Sequence, residues 1–241
     1  CQAVPLATAV LSNHLEYPHY EFVDLSAHMR DFMDCWDKNE IDFHAIVSGF
    51  LASPEQIHLV EEAIDRFGNN GQMVIVDPAM ADDGRLYSIY TPDMVVAMRQ
   101  LVSKAHIVKP NYTEACYLTS SKFNTDGVDF DEAKRLLDGL RLIGTKSALI
   151  TSIPIDGTPS VAGYNHVTDK YFSLPYTEIP VHFPGTGDIF SAILIGHLLD
   201  GELLIPSTQK AMDGVYALID RNKDNEDKNR GIPLEKYLGV L

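Results

Sequence analysis

"FHAIVSGFLASPEQIHLVEEAIDRFGNNGQMVIVDP", residues 43–78, carries two hydrophobic rhythms in one stretch. Its ends, "FHAIVSG" (43–49) and "QMVIVDP" (72–78), are short and almost continuously apolar, the pattern of strands buried on both faces. Between them Ile57, Val60, Ile64 and Phe67 recur at helical spacing, and Ser53 with Pro54 and Glu55 behind it supplies a helix start. Strand, helix and strand in that order predict a parallel sheet.

The rhythm continues outward. "TPDMVVAMRQLVSK" reads as a helix, "AHIVKP" (105–110) as a strand and "NYTEACYLT" (111–119) as a short helix. "DFDEAKRLLDGLRLI" places Ala133, Leu136, Leu137 and Leu140 on one helical face, and "KSALITS" (146–152) is another strand. The expectation is a mainly parallel sheet covered by helices on both faces. Between 153 and 183, "SVAGYNH" and "DKYFSLPYTEI" read as a meander at the sheet edge. The tail "RNKDNEDKNRG" reads as a solvated connection, and "CQAVPLATAV" (1–10) as a buried strand that has lost its native start. With no internal repeat and no linker rich in Pro, Gly or Ser, a single domain over 1–241 is expected.

The chain has 241 residues, 45% apolar and 22% charged, with a formal net charge of −15. That balance argues against nonspecific binding to nucleic acid or to an anionic membrane. An anionic ligand would have to be held by local amides, a metal or a few cations. No apolar run approaches a membrane span. Cys1, Cys35 and Cys116 are scattered without zinc-like spacing, so a reducing cytoplasm is the simplest setting.

Four polar clusters each follow an apolar strand, and in an open parallel sheet ligands bind beyond the carboxyl ends of strands. Asp77 stands at one such end, Asn111 and Glu114 at a second, Thr151 and Ser152 at a third. Each has a plainer reading. Asp77 before Pro78 can start a turn, Asn111 and Glu114 resemble a capping box, and Asp82, Asp83 and Gly84 form a turn.

The fourth cluster is "FPGTGDIFSAILIGHLLDG" (183–201). Gly185 and Gly187 permit a sharp turn, and the residues after them predict a mostly buried helix. A helix start offers unpaired amides and a partial positive charge, a place for an anion. Thr186 or Asp188 as a plain helix cap is the competing reading. The dinucleotide fingerprint fails here for want of a third glycine, and no GxxxxGK[ST], protein-kinase motif or GxSxG elbow occurs anywhere. Oxygen ligands, amides and a carboxylate base together are what phosphoryl transfer needs.

In order, "LSNH" (11–14), "DPAM…LY" (77–87), "KPNYTEA" (109–115), "ITS" (150–152) and "FPGTGDIF" (183–190) resemble the pyridoxal kinases of the ribokinase-like superfamily. The resemblance implies a three-layer α/β/α sandwich, usually dimeric, that transfers the ATP γ-phosphate with Mg²⁺ to the 5′-hydroxymethyl of pyridoxal, pyridoxine or pyridoxamine. It gives Asp188 the part of catalytic base and Gly185, Thr186 and Gly187 that of an anion hole. Asp77 and Glu114 would hold metal and, with Asn111, organise the phosphates, while Asp82, Thr151 and Ser152 would contact the nucleotide. His14 would lie near the pyridine ring, Phe50 would line its pocket and Tyr87 would belong to a flap over it.

The chain also departs from that family. Members carry a first strand and a turn bearing glycine and serine ahead of the point where this sequence starts. Leu15 follows His14 where threonine is usual, and Ala81 replaces a common glycine. Lys109 stands where threonine is frequent, near a site for a monovalent cation; its ammonium either substitutes for that cation or points to solvent. The alternatives to a B6 kinase are a hydroxymethylpyrimidine kinase of the same superfamily and a non-catalytic vitamin sensor.

Overall fold

The computed structural model describes residues 2–13, 17–69 and 71–239. They group into two compact units, one made of Gln2–Leu11 and Phe22–Pro175, the other of Ser12–Glu21 and Tyr176 onward.

The first unit opens with β1 (Ala9–Leu11) and β2 (Phe22–Asp24), a two-stranded antiparallel ribbon, followed by α1 (Ser26–Lys38). The sheet strands and helices then alternate as the rhythm predicts. They run β3 (Ala45–Ser48), α2 (Pro54–Phe67), β4 (Met73–Val76), a hairpin of β5 (Ala81–Asp82) and β6 (Arg85–Leu86), and α3 (Pro92–Ser103). β7 (Ile107–Val108), α4 (Tyr112–Thr119), α5 (Phe130–Ile143), β8 (Ser147–Ile155), β9 (Thr158–Asn165) and β10 (Lys170–Pro175) complete the unit. The six-stranded sheet has the order β10-β9-β8-β7-β4-β3. Its β3–β4, β4–β7 and β7–β8 pairs are parallel, while β8–β9 and β9–β10 are antiparallel, which makes the last two strands the expected edge meander.

Ser53 and Asn111 open their helices as read from the sequence, and Thr91 and Asp129 act likewise. Each accepts a main-chain N–H inside the helix it begins. Two strand expectations fail. Of residues 2–10 only Ala9 and Val10 lie in a strand, β1, and Val10 is 56% exposed. The 43–49 run is not buried on both faces either: β3 is an edge strand and leaves Val47 exposed.

The second unit contains α6 (Thr186–Leu199) and α7 (Leu204–Asn222), packed on each other. Phe183, Ile189, Phe190, Leu194, Ala211 and Leu218 are buried there. α6 is less buried than its composition predicts, with Ile189, Phe190, Ser191 and Leu194 inside and Ala192 exposed. Of the expected solvated connection 221–231, Arg221 and Asn222 end α7 with Asn222 buried, while residues 223–231 are exposed or half-buried.

One polar residue inside the first unit matters for its integrity. Gln56 is fully buried; its Oε1 accepts the Ala52 N–H at 2.9 Å, while its Nε2 donates to the Thr8 carbonyl at 3.0 Å and to Asp24 Oδ1 at 3.2 Å. It thereby fastens the ribbon and the segment before it to α2. Gln56→Leu keeps the volume but strands the amide and carbonyl it served, and is expected to lower stability by about 1–3 kcal/mol. Urea unfolding of the two proteins measures the difference.

Candidate active site

Three of the four predicted clusters come together at the carboxyl ends of the central strands. Val76 lies opposite Val108 in the β4–β7 register, so Asp77 and Lys109 leave the sheet side by side. The Lys109 amide donates to the Val76 carbonyl at 2.9 Å, and its Nζ stands 2.8 Å from Asp77 Oδ2. Lys109 is 4% exposed, which removes the alternative that it points to solvent.

Next along the rim, Asn111 opens α4 with the capping box read from the sequence. Its Oδ1 accepts the Glu114 N–H at 2.9 Å, and Glu114 Oε2 accepts the Asn111 N–H at 2.7 Å. Glu114 also reaches beyond its own helix. Its Oε1 accepts the Met80 N–H at 3.0 Å, and the residue is 3% exposed. Asn111 Nδ2 also donates to the Ala81 carbonyl at 2.7 Å, and the Gly84 N–H donates to Thr113 Oγ1 at 3.0 Å. The β5–β6 hairpin is thus tied to the first turn of α4, with Asp82 exposed on it. Thr151 pairs with Asn111 as an isolated parallel bridge, its N–H donating to the Pro110 carbonyl at 2.9 Å. Ser152 sits at a bulge in β8 with φ +53°, a left-handed conformation that a serine rarely adopts, and is exposed.

Aromatic residues border the same unit's rim. Phe50 and Tyr87 both meet Tyr90 edge-on, with ring centroids 6.2 and 6.4 Å apart, and Tyr90 donates its hydroxyl proton to the Leu51 carbonyl at 2.6 Å. His14 lies outside the described residues.

The fourth cluster belongs to the second unit. Gly185 takes the left-handed conformation, φ +84°, and is the N-cap residue of α6, with no side chain capping that end. The plain capping role for Thr186 or Asp188 is therefore not what is found. Asp188 is exposed in the first turn, and a Cβ built on Gly187 meets nothing within 4 Å. Gly187 has an ordinary negative φ and open space, so neither backbone nor packing demands a glycine there.

Asp77 and Glu114 do not fit direct ligation of a metal. Both Glu114 oxygens accept main-chain N–H groups, and Asp77 already holds an ammonium. No group of three or more His, Cys, Asp or Glu side chains able to hold a metal occurs among the described residues. Sequence reasoning missed three parts of this rim: the Lys109–Asp77 pair, Thr113 under the hairpin, and Tyr90 between Phe50 and Tyr87. The first depends on the β4–β7 register, which places Asp77 beside Lys109 across 32 residues of sequence.

A family profile described as phosphomethylpyrimidine kinase matches residues 26–232. The chain belongs to this family. Among its solved relatives is a Bacteroides thetaiotaomicron protein, crystallised as a candidate phosphomethylpyrimidine kinase, that is 37% identical. The alignment covers 98% of this chain and 82% of that one with a TM-score of 0.94. A second crystal form of that protein is described as containing pyridoxal. A pyridoxine/pyridoxal/pyridoxamine kinase of Bordetella avium is 32% identical over 82% of this chain and 68% of its own length. A pyridoxal kinase of Arabidopsis thaliana is 27% identical over 80% of this chain. The chain spans 63% of that plant relative's length. The resemblance to pyridoxal kinases read from the motifs is borne out, and the fold is the expected mainly parallel, ribokinase-like α/β architecture. No helix among the described residues is long and apolar enough to cross a membrane.

Burial raises the Glu114 carboxyl from an ordinary value of 4.5 to about 8, with the nearby Asp77 charge adding to the effect and Lys109 opposing it. The folded protein therefore binds this proton more tightly than the unfolded chain does. Stability should fall as pH rises from about 4.5 towards 8 and then level off, because unfolding releases the proton over that range. Urea unfolding at several pH values tests this: Glu114→Gln, which cannot ionise, is expected to show a flatter profile than the wild type.

Proposed function

We propose that the protein phosphorylates the 5′-hydroxymethyl group of a B6 vitamer (pyridoxal, pyridoxine or pyridoxamine) with ATP. The observation that carries this reading is the start of α6. Gly187 is a glycine that the fold does not require, beside an exposed aspartate, at a helix end no side chain caps. Bare amides and a partial positive charge are suited to the transferring phosphoryl group, and the amides of 185–187 take that part. Asp188 accepts the proton that the substrate hydroxyl loses as its oxygen attacks phosphorus. The similarity to named pyridoxal kinases supports the choice of substrate and of ATP.

On the sheet rim, Asn111, Thr151, Ser152 and Asp82 are the groups offered to the nucleotide, and Phe50 and Tyr87 the aromatic faces offered to a pyridine ring. The resemblance also assigns His14 to that ring. Magnesium, when bound, would neutralise charge on the nucleotide phosphates, and it would arrive with them. The family match runs from 26 to 232 through both compact units, which supports one kinase domain. A homodimer in the cytoplasm completes the reading, after the resemblance.

A second reading, phosphorylation of hydroxymethylpyrimidine, is favoured by the description of the matched family profile. ATP consumption against the three B6 vitamers and hydroxymethylpyrimidine decides between them. The higher kcat/KM is expected for a B6 vitamer, and turnover of the pyrimidine alone would reject the first reading.

Two variants separate an enzyme from a vitamin sensor. Asp188→Asn is expected to lower kcat by about a hundredfold to ten-thousandfold with little change in vitamer binding. A protein that loses no turnover, or has none to lose, is not the proposed kinase. Gly187→Ala should leave stability unchanged or raise it by up to about 1 kcal/mol, because alanine is the better helix former. It should nonetheless reduce kcat/KM by about tenfold or more by crowding the phosphoryl group. Thermal melting and steady-state kinetics on the same preparation supply both numbers.

A further inference from the structure

Most ion pairs among the described residues are surface pairs, such as Arg30 with Glu62, whose side chains are 63% and 33% exposed. The pair at the ends of β4 and β7 is different. Lys109 and Asp77 side chains are 5% and 12% exposed, with nitrogen and oxygen 2.8 Å apart. Strand register and the main-chain bond from Lys109 to Val76 fix both backbones, so the pair has little freedom to separate. Glu114 is close enough to feel both charges, yet its own oxygens are committed to the Met80 and Asn111 amides.

The Asp77 carboxylate, in so poorly hydrated a place, needs a cation. A chain lacking a lysine here would have to recruit one from solution, and oxygen-rich pockets of this kind take hard cations. Here the ammonium is already present and covalently attached. A metal ion bonded to Asp77 would have to approach an oxygen against that ammonium and push it aside.

We propose that Lys109 is the resident cation of this carboxylate cluster. It stands where an external cation would otherwise be ligated by Asp77, so the protein alone has no site for a divalent metal at this rim. Divalent metal reaches it only on the phosphates of a bound ligand. Lys109 is thereby a positioning residue: it sets Asp77 and the electrostatic balance of the rim. The part about phosphates rests on the kinase reading above; the part about Asp77 does not.

The test uses Mn²⁺ alone as the probe, titrated into the nucleotide-free full chain and read by electron paramagnetic resonance. Wild type and Asp77→Asn are expected to bind it equally weakly. Lys109→Thr should bind Mn²⁺ at least about tenfold more tightly, and Asp77→Asn added to that variant should remove the gain. A wild-type Mn²⁺ site that Asp77→Asn abolishes overturns the proposal, as does a folded Lys109→Thr that shows no gain.

A second measurement needs no variant. Wild-type affinity for magnesium-free ADP, measured at one ionic strength in KCl, NaCl or choline chloride, should agree within about twofold, because the charge is built in. A dependence of about tenfold or more on the monovalent cation present overturns the proposal. Absence of ADP binding in all three salts counts against the kinase reading instead, and the Mn²⁺ titration still decides the role of the lysine.

Discussion

The pairing of β4 with β7 constrains everything at the rim of the sheet. Once Val76 stands opposite Val108, the residues that follow must leave the sheet together, and they are an aspartate and a lysine. β7 is two residues long with a strand on either side, so its end is shielded from water. A lysine there needs an opposite charge, since an unpaired buried ammonium is strongly unfavourable. Asp77 meets that need only in the observed register. A slip of one residue would set Lys109 against an apolar neighbour and turn every side chain of the short strand to the wrong face.

Glu114 shows how one residue can serve the fold and the electrostatics together. A capping box is ordinarily a surface device, satisfying two amides at a solvated helix start. In this chain its glutamate is buried and also takes the Met80 amide, so the start of α4 and the approach to the β5–β6 hairpin share one carboxylate. With Thr113 and Asn111 anchoring the same hairpin, the start of one helix holds a segment that would otherwise be a loose two-stranded ribbon. The charge balance is equally local. The net −15 of the chain is spread over the surface and screened within about 8–10 Å at ordinary ionic strength, whereas the Lys109–Asp77 contact is shorter than that by far.

Periodicity made the central strands and helices legible because each is held by burial of a single face or run, and burial is what hydrophobic patterning records. Ser53 was equally readable as a helix start, since the bond it makes is to its own helix. The failures share a cause. Val47 and Val10 are apolar in composition and exposed in fact, because sequence pattern does not say which strand ends up at an edge. The apolar run of α6 likewise overstated its burial. Lys109 and Gln56 were harder still, for Asp77, Asp24 and Thr8 are far from them in sequence and nothing nearby announces the pairing. A capping box was read correctly at Asn111 and Glu114, but its third partner, the Met80 amide, belongs to long-range geometry.

The helix starts of this chain also differ in a way that composition alone would hide. α2, α3, α4 and α5 each open on a side chain that accepts a main-chain N–H, a bond worth about 1 kcal/mol. α1, α6 and α7 open with no such bond, but α6 opens on a left-handed glycine and then places a second glycine inside its first turn, where alanine would be favoured by roughly 1 kcal/mol. The left-handed φ accounts for Gly185 but not for Gly187, whose surroundings would admit a methyl group without contact. Stability has therefore been left unclaimed at neighbouring positions, next to an exposed carboxylate, at the one end of a helix where the partial charge is positive. Folding offers no reason for that combination. Binding does: amides that no side chain covers are available to an anion, and an acid exposed beside them can take a proton from the group that attacks it.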